Sequence, residues 1–187
     1  MDRGPLGVDR TIDALKDAKL AFTGTRKKKG QAFHTITTGG GFKIAWISCT
    51  RDTNGLPDPK GQVNRCYGNG VSSTIRALKG STDAVIVTPH WGQEYSLSNN
   101  GKQRSFARRW LDDGATAILG AHPHVPQPWE KYNTKDGREG FIIYSLGNFI
   151  AAQTAIEKKT SMLLYLCLLY TSPSPRDLST SRMPSSA

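Results

Sequence analysis

"DAVIVTPHWGQEY", Asp83 to Tyr95, and "DDGATAILGAHPHV", Asp112 to Val125, decide the fold. Each contains a short run that is apolar on both faces, the pattern of a strand buried inside a parallel sheet. Between them "QRSFARRWLDDG", Gln103 to Gly114, sets Phe106 and Trp110 four residues apart and stops at a glycine, as a helix does. Strand, helix and strand in that order form a βαβ unit, whose crossover makes the two strands parallel neighbours. Both strands run out at histidine: His90 after the first, His122 and His124 after the second.

Working outward, "VSSTIRALKG" (Val71 to Gly80) predicts a short helix with Ser72 or Ser73 as cap and Val71, Ile75 and Leu78 inward. Arg51 to Gly70 is rich in Pro, Gly, Asn and Asp and predicts a long surface loop, a length often kept for function. "AFHTITTGGGFKIAWISCT" (Ala32 to Thr50) predicts two β-runs around a triple glycine, with Phe42, Ile44 and Trp46 alternating along the second. Near the start, Val8, Ile12 and Leu15 share one helical face with Asp9, Arg10, Asp13 and Lys16 turned outward, and that helix needs a sheet to cover. Downstream, "GFIIYSLGNFI" (Gly140 to Ile150) supplies a further strand and "SMLLYL" (Ser161 to Leu166) begins one more. The architecture is α/β and layered.

A chain of 187 residues, 37% hydrophobic and 21% charged, suits one globular domain. Its formal charge of +10 suits an acidic partner. The basic residues are scattered, the single run Arg26 to Lys29 abuts Gly30, and no RNP-like, zinc-finger or helix-turn-helix pattern occurs, so nucleic acid is not the expected partner. Cys49, Cys66 and Cys167 have neither CxxC nor metal-finger spacing and leave the redox compartment undetermined. "MDRGPLGVDR" has no apolar signal core and "MLLYLCLLY" is too short to cross a bilayer, so the chain is either cytosolic or lacks a leader.

In an extended segment residues i and i+2 project to one side, so His122 and His124 are expected to aim their rings together, with Pro123 stiffening the turn. Parallel strands open their crevice at their C-terminal ends, where His90 also lies. Three imidazoles with an open position suit zinc, manganese or iron and can activate a bound water. Spacing alone leaves a second reading open, in which these are polar strand ends bonded locally. His34, in an alternating strand without a partner motif, is assigned a structural or surface role.

"DAVIVTPHWGQEY", Gln103 and Ala107 in the helix, "DDGATAILGAHPHVPQP", then "IIYSLGNFI" with Gln153 after it carry a resemblance. In this order, from Met1 to about Leu166, the chain resembles the CapA family of poly-γ-glutamate capsule proteins, whose fold is that of the calcineurin-like metallophosphoesterases. The resemblance implies a layered α/β sandwich of that type, here its C-terminal part only, spanning residues 1–166. It implies divalent metal ions, two in the complete protein (manganese, iron or zinc), with His90, His122 and His124 among the ligands. Trp91 then walls the pocket or simply packs. Glu94 accepts a hydrogen bond from a ligand histidine or a substrate amine. Asn148 touches substrate or braces a ligand, or with Ser145 shapes a turn; no Gly-x-Ser-x-Gly elbow supports Ser145 as a nucleophile.

The same resemblance implies an anionic polymer such as poly-γ-glutamate as partner, a cell-envelope or extracellular location, and room for a membrane anchor upstream. The family's earlier ligands, an aspartate, a second acidic or amide residue and an Asn-His pair, have no counterpart here, and "MDRGPLGVDRTIDAL" is similar to the segment just after that pair. The chain is therefore expected to be truncated at both ends, to bind metal weakly and to turn over nothing alone, although the complete protein would be a metal-dependent hydrolase. The alternative is a non-catalytic polyanion or glycan binding module whose binding is lost with salt and indifferent to chelator. Its parallel sheet, deprived of its first strands, is expected to expose an apolar edge and to aggregate. From Cys167 to Ala187 Ser, Pro and Arg replace the apolar pattern, and the run resembles the translation of a sequencing adapter, expected to be disordered and foreign to the fold.

Overall fold

The computed structural model describes residues 3–168. In chain order these form α1 (Gly4–Asp17), β1 (His34–Gly39), β2 (Phe42–Thr50), α2 (Gly70–Leu78), β3 (Ala84–His90), α3 (Gly101–Asp113), β4 (Ala117–Leu119), β5 (Pro126–Asn133), β6 (Glu139–Leu146) and α4 (Ile156–Lys159). One six-stranded sheet takes the order β1-β2-β3-β4-β6-β5. The inner four strands are parallel to their neighbours, and β1 and β5 close the sheet as antiparallel edges. The expected βαβ unit is β3-α3-β4, with Ile86 opposite Ala117 and Val87 opposite Ile118.

Alternation along the inner strands gives each face its own set of side chains. Ala45, Ile47 and Cys49 of β2 and Val85 and Val87 of β3 join Ile118, Ile142 and Tyr144 in a core completed by Val71, Ile75 and Leu78 of α2 and Ala107, Trp110 and Leu111 of α3. Phe42, Ile44 and Trp46 belong to the opposite, half-covered face of β2. Trp91 and Trp110 stack at 5.6 Å between centroids, and both are fully buried. Removing a core aromatic of that size costs about 3–5 kcal/mol.

Local chemistry explains the element ends. Gly40 and Gly41 both take positive φ and turn β1 into β2, so the two β-runs expected around the triple glycine form a hairpin. Asn100 caps α3 through a reciprocal pair: its side chain accepts from the Gln103 amide, and the Gln103 side chain accepts from the Asn100 amide. Gly114 ends the same helix at φ 126°.

Several expectations need correction. The N-cap of α2 is Asn69, without a side-chain cap, and Ser72 and Ser73 lie inside the helix; Ser72 is pulled into the core beside Val71. The polar contacts of α1 run to loops: Asp13 pairs with Lys27, and Asp9 pairs with Lys60 and accepts from Gln62, so Asp9 and Asp13 bond to protein rather than only to solvent. β5 was not predicted, because Pro126 and Pro128 argue against a strand; an edge position tolerates them. "SMLLYL" forms no strand: after a single bridge between Gly147 and Ser161, Leu163 and Tyr165 stand 75% and 93% exposed. The sheet edges are not apolar parallel strands but the threonine-rich β1 and the proline-bearing β5. The reading of residues 167–187 as foreign to the fold falls, from residue 169 onward, outside the described residues.

Candidate metal centre

Register delivers the histidines to one place. Past the ends of β3 and β4 the strands stay bridged: His90 pairs with Ala121, Ala121 N–H donates to Pro89 O at 2.9 Å, and Trp91 N–H donates to Ala121 O at 3.0 Å. Gly120 is the point of closest approach to β6. Its N–H donates to Ile143 O at 2.8 Å, and a Cβ there would stand 2.0 Å from Tyr144 O and 2.7 Å from the Trp91 indole nitrogen. Only glycine fits between those two elements.

Beyond Gly120 the chain does not continue extended. Residues 122–125 form a bend, with His122 at φ 101° and His124 at φ 63°. The two rings converge through left-handed backbone, not through the strand alternation expected from their i, i+2 spacing. Such conformations cost a non-glycine residue on the order of 1–3 kcal/mol and concentrate at functional sites.

The His122 and His124 rings lie 6.0 Å apart, and the His90 ring lies 4.3 Å from His122. Glu94, on the loop after β3, completes a group with His122 and His124 in which one ligand atom from each lies within 4.8 Å of the others. Glu94 is thus a candidate ligand by position, whereas His90 lies beside the trio, its Nδ1 3.3 Å from the Thr50 hydroxyl. The Asn148 amide nitrogen donates to Gln153 Oε1, Lys158 O and His124 O. That leaves Asn148 Oδ1 to accept from His124 Nδ1 at 2.8 Å, so His124 keeps the lone pair of Nε2 free. Trp91 is not in the pocket wall: it is fully buried beneath the site, and its indole donates to Tyr144 O at 3.0 Å. Ser145 is also buried, and its hydroxyl accepts from Gly147 N–H, a turn role.

Burial, first, and then neighbouring positive charge hold His90 and His122 below the ordinary imidazole value of 6.5, which keeps both rings neutral near pH 7. Neutral nitrogen beside a carboxylate is a donor set suited to a divalent first-row ion. Three further groups escaped the sequence reading. Arg51 and Asp52 follow β2 at the level of His90, since Thr50 pairs with His90; Arg51 holds Gly92 O at 2.6 Å and Asp52 Oδ2 at 2.6 Å. Tyr95 packs its ring 5.8 Å from the His124 ring, and Lys158 Nζ lies over the same tyrosine ring, 3.7 Å from its centroid. Cys49 and Cys66 form a buried disulfide that fastens the long loop to β2.

Fold and cluster together define an α/β protein with a candidate divalent-metal site at the carboxyl ends of parallel strands. The family profile described as "Bacterial capsule synthesis protein PGA_cap" matches residues 1–153, and the chain belongs to that family, the CapA proteins. A capsule biosynthesis protein CapA of Bacillus anthracis is 30% identical over 171 residues, 87% of this chain and 40% of that protein. A PGA biosynthesis protein CapA of Bacillus subtilis strain 168 is 43% identical over 90 residues, 48% of this chain and 22% of that one. The chain thus spans less than half the length of these relatives. Among solved structures, a phosphatase from Mycoplasma pneumoniae is similar at TM-score 0.42 and 18% identity over 64% of this chain and 37% of its own. Haemophilus influenzae NAD nucleotidase is similar at TM-score 0.44 and 16% identity over 67% and 28%.

Proposed function

We propose that this chain carries the histidine-rich part of a divalent-metal site in a protein of poly-γ-glutamate capsule assembly at the cell envelope. Residues 1–166 would be part of a larger, metallophosphoesterase-like layered domain. The observation that carries the reading is the convergence of Glu94, His122 and His124 at the C-terminal ends of β3 and β4. Those three would hold one ion, manganese, iron or zinc, and His90 would face either the same ion or a second one. A bound divalent ion would polarise a carbonyl or phosphoryl oxygen and lower the pKa of a water, which suits a metal-dependent hydrolase.

The chain's own residues prepare that site. Asn148 fixes the His124 tautomer, Thr50 steadies the His90 ring, and Arg51 ties the loop carrying Glu94 to the end of β2 through Gly92 O. Poly-γ-glutamate as the polymer follows from the relatives' names in capsule and PGA biosynthesis. The metal cluster sets this reading above a module that binds polyanion by charge alone.

Titration of the full chain with Mn(II), followed by its electron paramagnetic resonance signal, tests the reading. Binding is expected in the wild type and should weaken at least ~10-fold in His122→Ala and His124→Ala, and ~10-fold or more in Asn148→Ala, which removes the brace on His124 Nδ1 together with the bonds to Gln153 and Lys158 O but no ligand atom. Equal binding by all four proteins would overturn it.

A further inference from the structure

An open recess of about 500 Å³ adjoins the histidines, lined by Arg51, Asp52, Tyr67, Gln93, Asn100 and Lys102. It is continuous with the cluster: Arg51 N–H donates to His90 O at 2.8 Å, and Gln93 directly precedes Glu94. Arg51 is already paired with Asp52 at 2.6 Å. Lys102 has no carboxylate partner among the described residues; its Nζ rests 3.9 Å over the Tyr67 ring. The Tyr67 hydroxyl, the Gln93 side-chain amide and the Asn100 side-chain nitrogen make no hydrogen bond among the described residues either. The recess therefore offers one uncompensated positive charge surrounded by neutral donors, two of them amides.

That balance selects its ligand. A single net positive charge suits a singly charged carboxylate better than a doubly charged phosphate; the Gln93 side chain can pair with an amide group as both donor and acceptor, and the Asn100 side-chain nitrogen can donate to its carbonyl. We propose that this recess binds a side-chain carboxylate and the adjoining amide of an amide-linked polyacid, and so holds the polymer beside the metal centre. The proposal rests on the metal-centre reading for its purpose, though not for its binding energy, which comes from Lys102, Tyr67, Gln93 and Asn100.

The test is calorimetric titration of γ-linked tetraglutamate into the full chain, stripped of metal with chelator, at low salt. The expected result is binding that falls about tenfold in Lys102→Ala, is abolished in Lys102→Glu and is restored in Lys102→Arg. The fully amidated tetramer should not bind, and inorganic phosphate at equal concentration should not displace the acid. A glutamate in the first turn of α3 favours that helix, so loss of binding in Lys102→Glu is not a folding defect. Undiminished binding in Lys102→Ala and Lys102→Glu, or stoichiometric displacement by phosphate, would overturn the proposal. Mn(II) binding by Lys102→Glu separates the two readings: metal retained with oligomer lost supports both, and oligomer binding that needs Lys102 in a chain that never binds metal leaves the recess standing and removes the metal centre.

Discussion

His122 and His124 are the residues whose chemistry was legible and whose geometry was not. A histidine pair at a strand end announces a ligand set by residue type alone, but no pattern in "GAHPH" encodes left-handed φ at both positions. Those angles follow from Gly120, pressed against Tyr144 O, and from Pro123, whose carbonyl accepts from Tyr95 N–H at 2.7 Å, a contact between distant segments. Glu94 was legible as a helper and stands as a ligand candidate, because distance across a loop cannot be counted from spacing. The depressed histidines also tie stability to pH. Between their folded values and 6.5 the folded chain binds fewer protons at His90 and His122 than the unfolded chain does. Stability of the metal-free chain is then full above 6.5 and lost as pH falls through that window. The lowered carboxylates, Asp52, Glu130 and Asp136, lose their contribution only at lower pH. Urea midpoints should drop between about pH 7.5 and 5.5, and the drop should flatten in a His90→Gln, His122→Gln double variant. The same drop in both proteins would assign it elsewhere.

At the scale of elements, the parallel interior was readable because β3 and β4 are apolar on both faces, and α3 because its apolar spacing and terminal glycine agree. β5 was unreadable for a physical reason: it is an edge whose outer side needs no N–H, so its prolines cost nothing there. The loop read from Arg51 to Gly70, whose last residue opens α2, was legible as functional by length but not by anchor, since cysteines at positions 49 and 66 share no motif. Their disulfide joins positions 17 apart in sequence and fixes Arg51 and Asp52 on one side of the recess and Tyr67 on the other. Closing a loop of that size stabilises by about 3 kcal/mol in the chain-entropy account. Denaturant unfolding with and without reductant should therefore differ by about 2–4 kcal/mol. A thiol count on the folded, unreduced chain should find Cys167, which is exposed and free, but neither Cys49 nor Cys66. Three reactive thiols before reduction would remove the staple from the account.

Over the whole molecule, the sheet is layered unequally. The face that carries Ile47, Val85, Val87 and Ile118 is sealed by α2 and α3. The other face presents Trp46, Ile86, Leu119 and Leu146 to a cavity of about 440 Å³, lined further by Phe149 and by Met162 to Leu164. Phe149 and Leu163 are 77% and 75% exposed, so that cover is thin. The apolar liability expected at an edge therefore lies on a face, and Pro126 and Pro128 blunt the β5 edge against further pairing. A contiguous apolar surface of this kind binds 8-anilinonaphthalene sulfonate in the native state. Trp46 is the tryptophan that lines it, whereas Trp91 and Trp110 pack in the sealed core, so energy transfer from tryptophan to the bound dye should fall mostly with Trp46→Phe. That substitution gives up the hydrogen bond from the Trp46 indole to Thr37, so its folded state is checked by circular dichroism alongside. Transfer that survives Trp46→Phe but falls with Trp129→Phe, which sits 59% exposed on the β5 edge, would place the open apolar surface at the rim of the sheet instead.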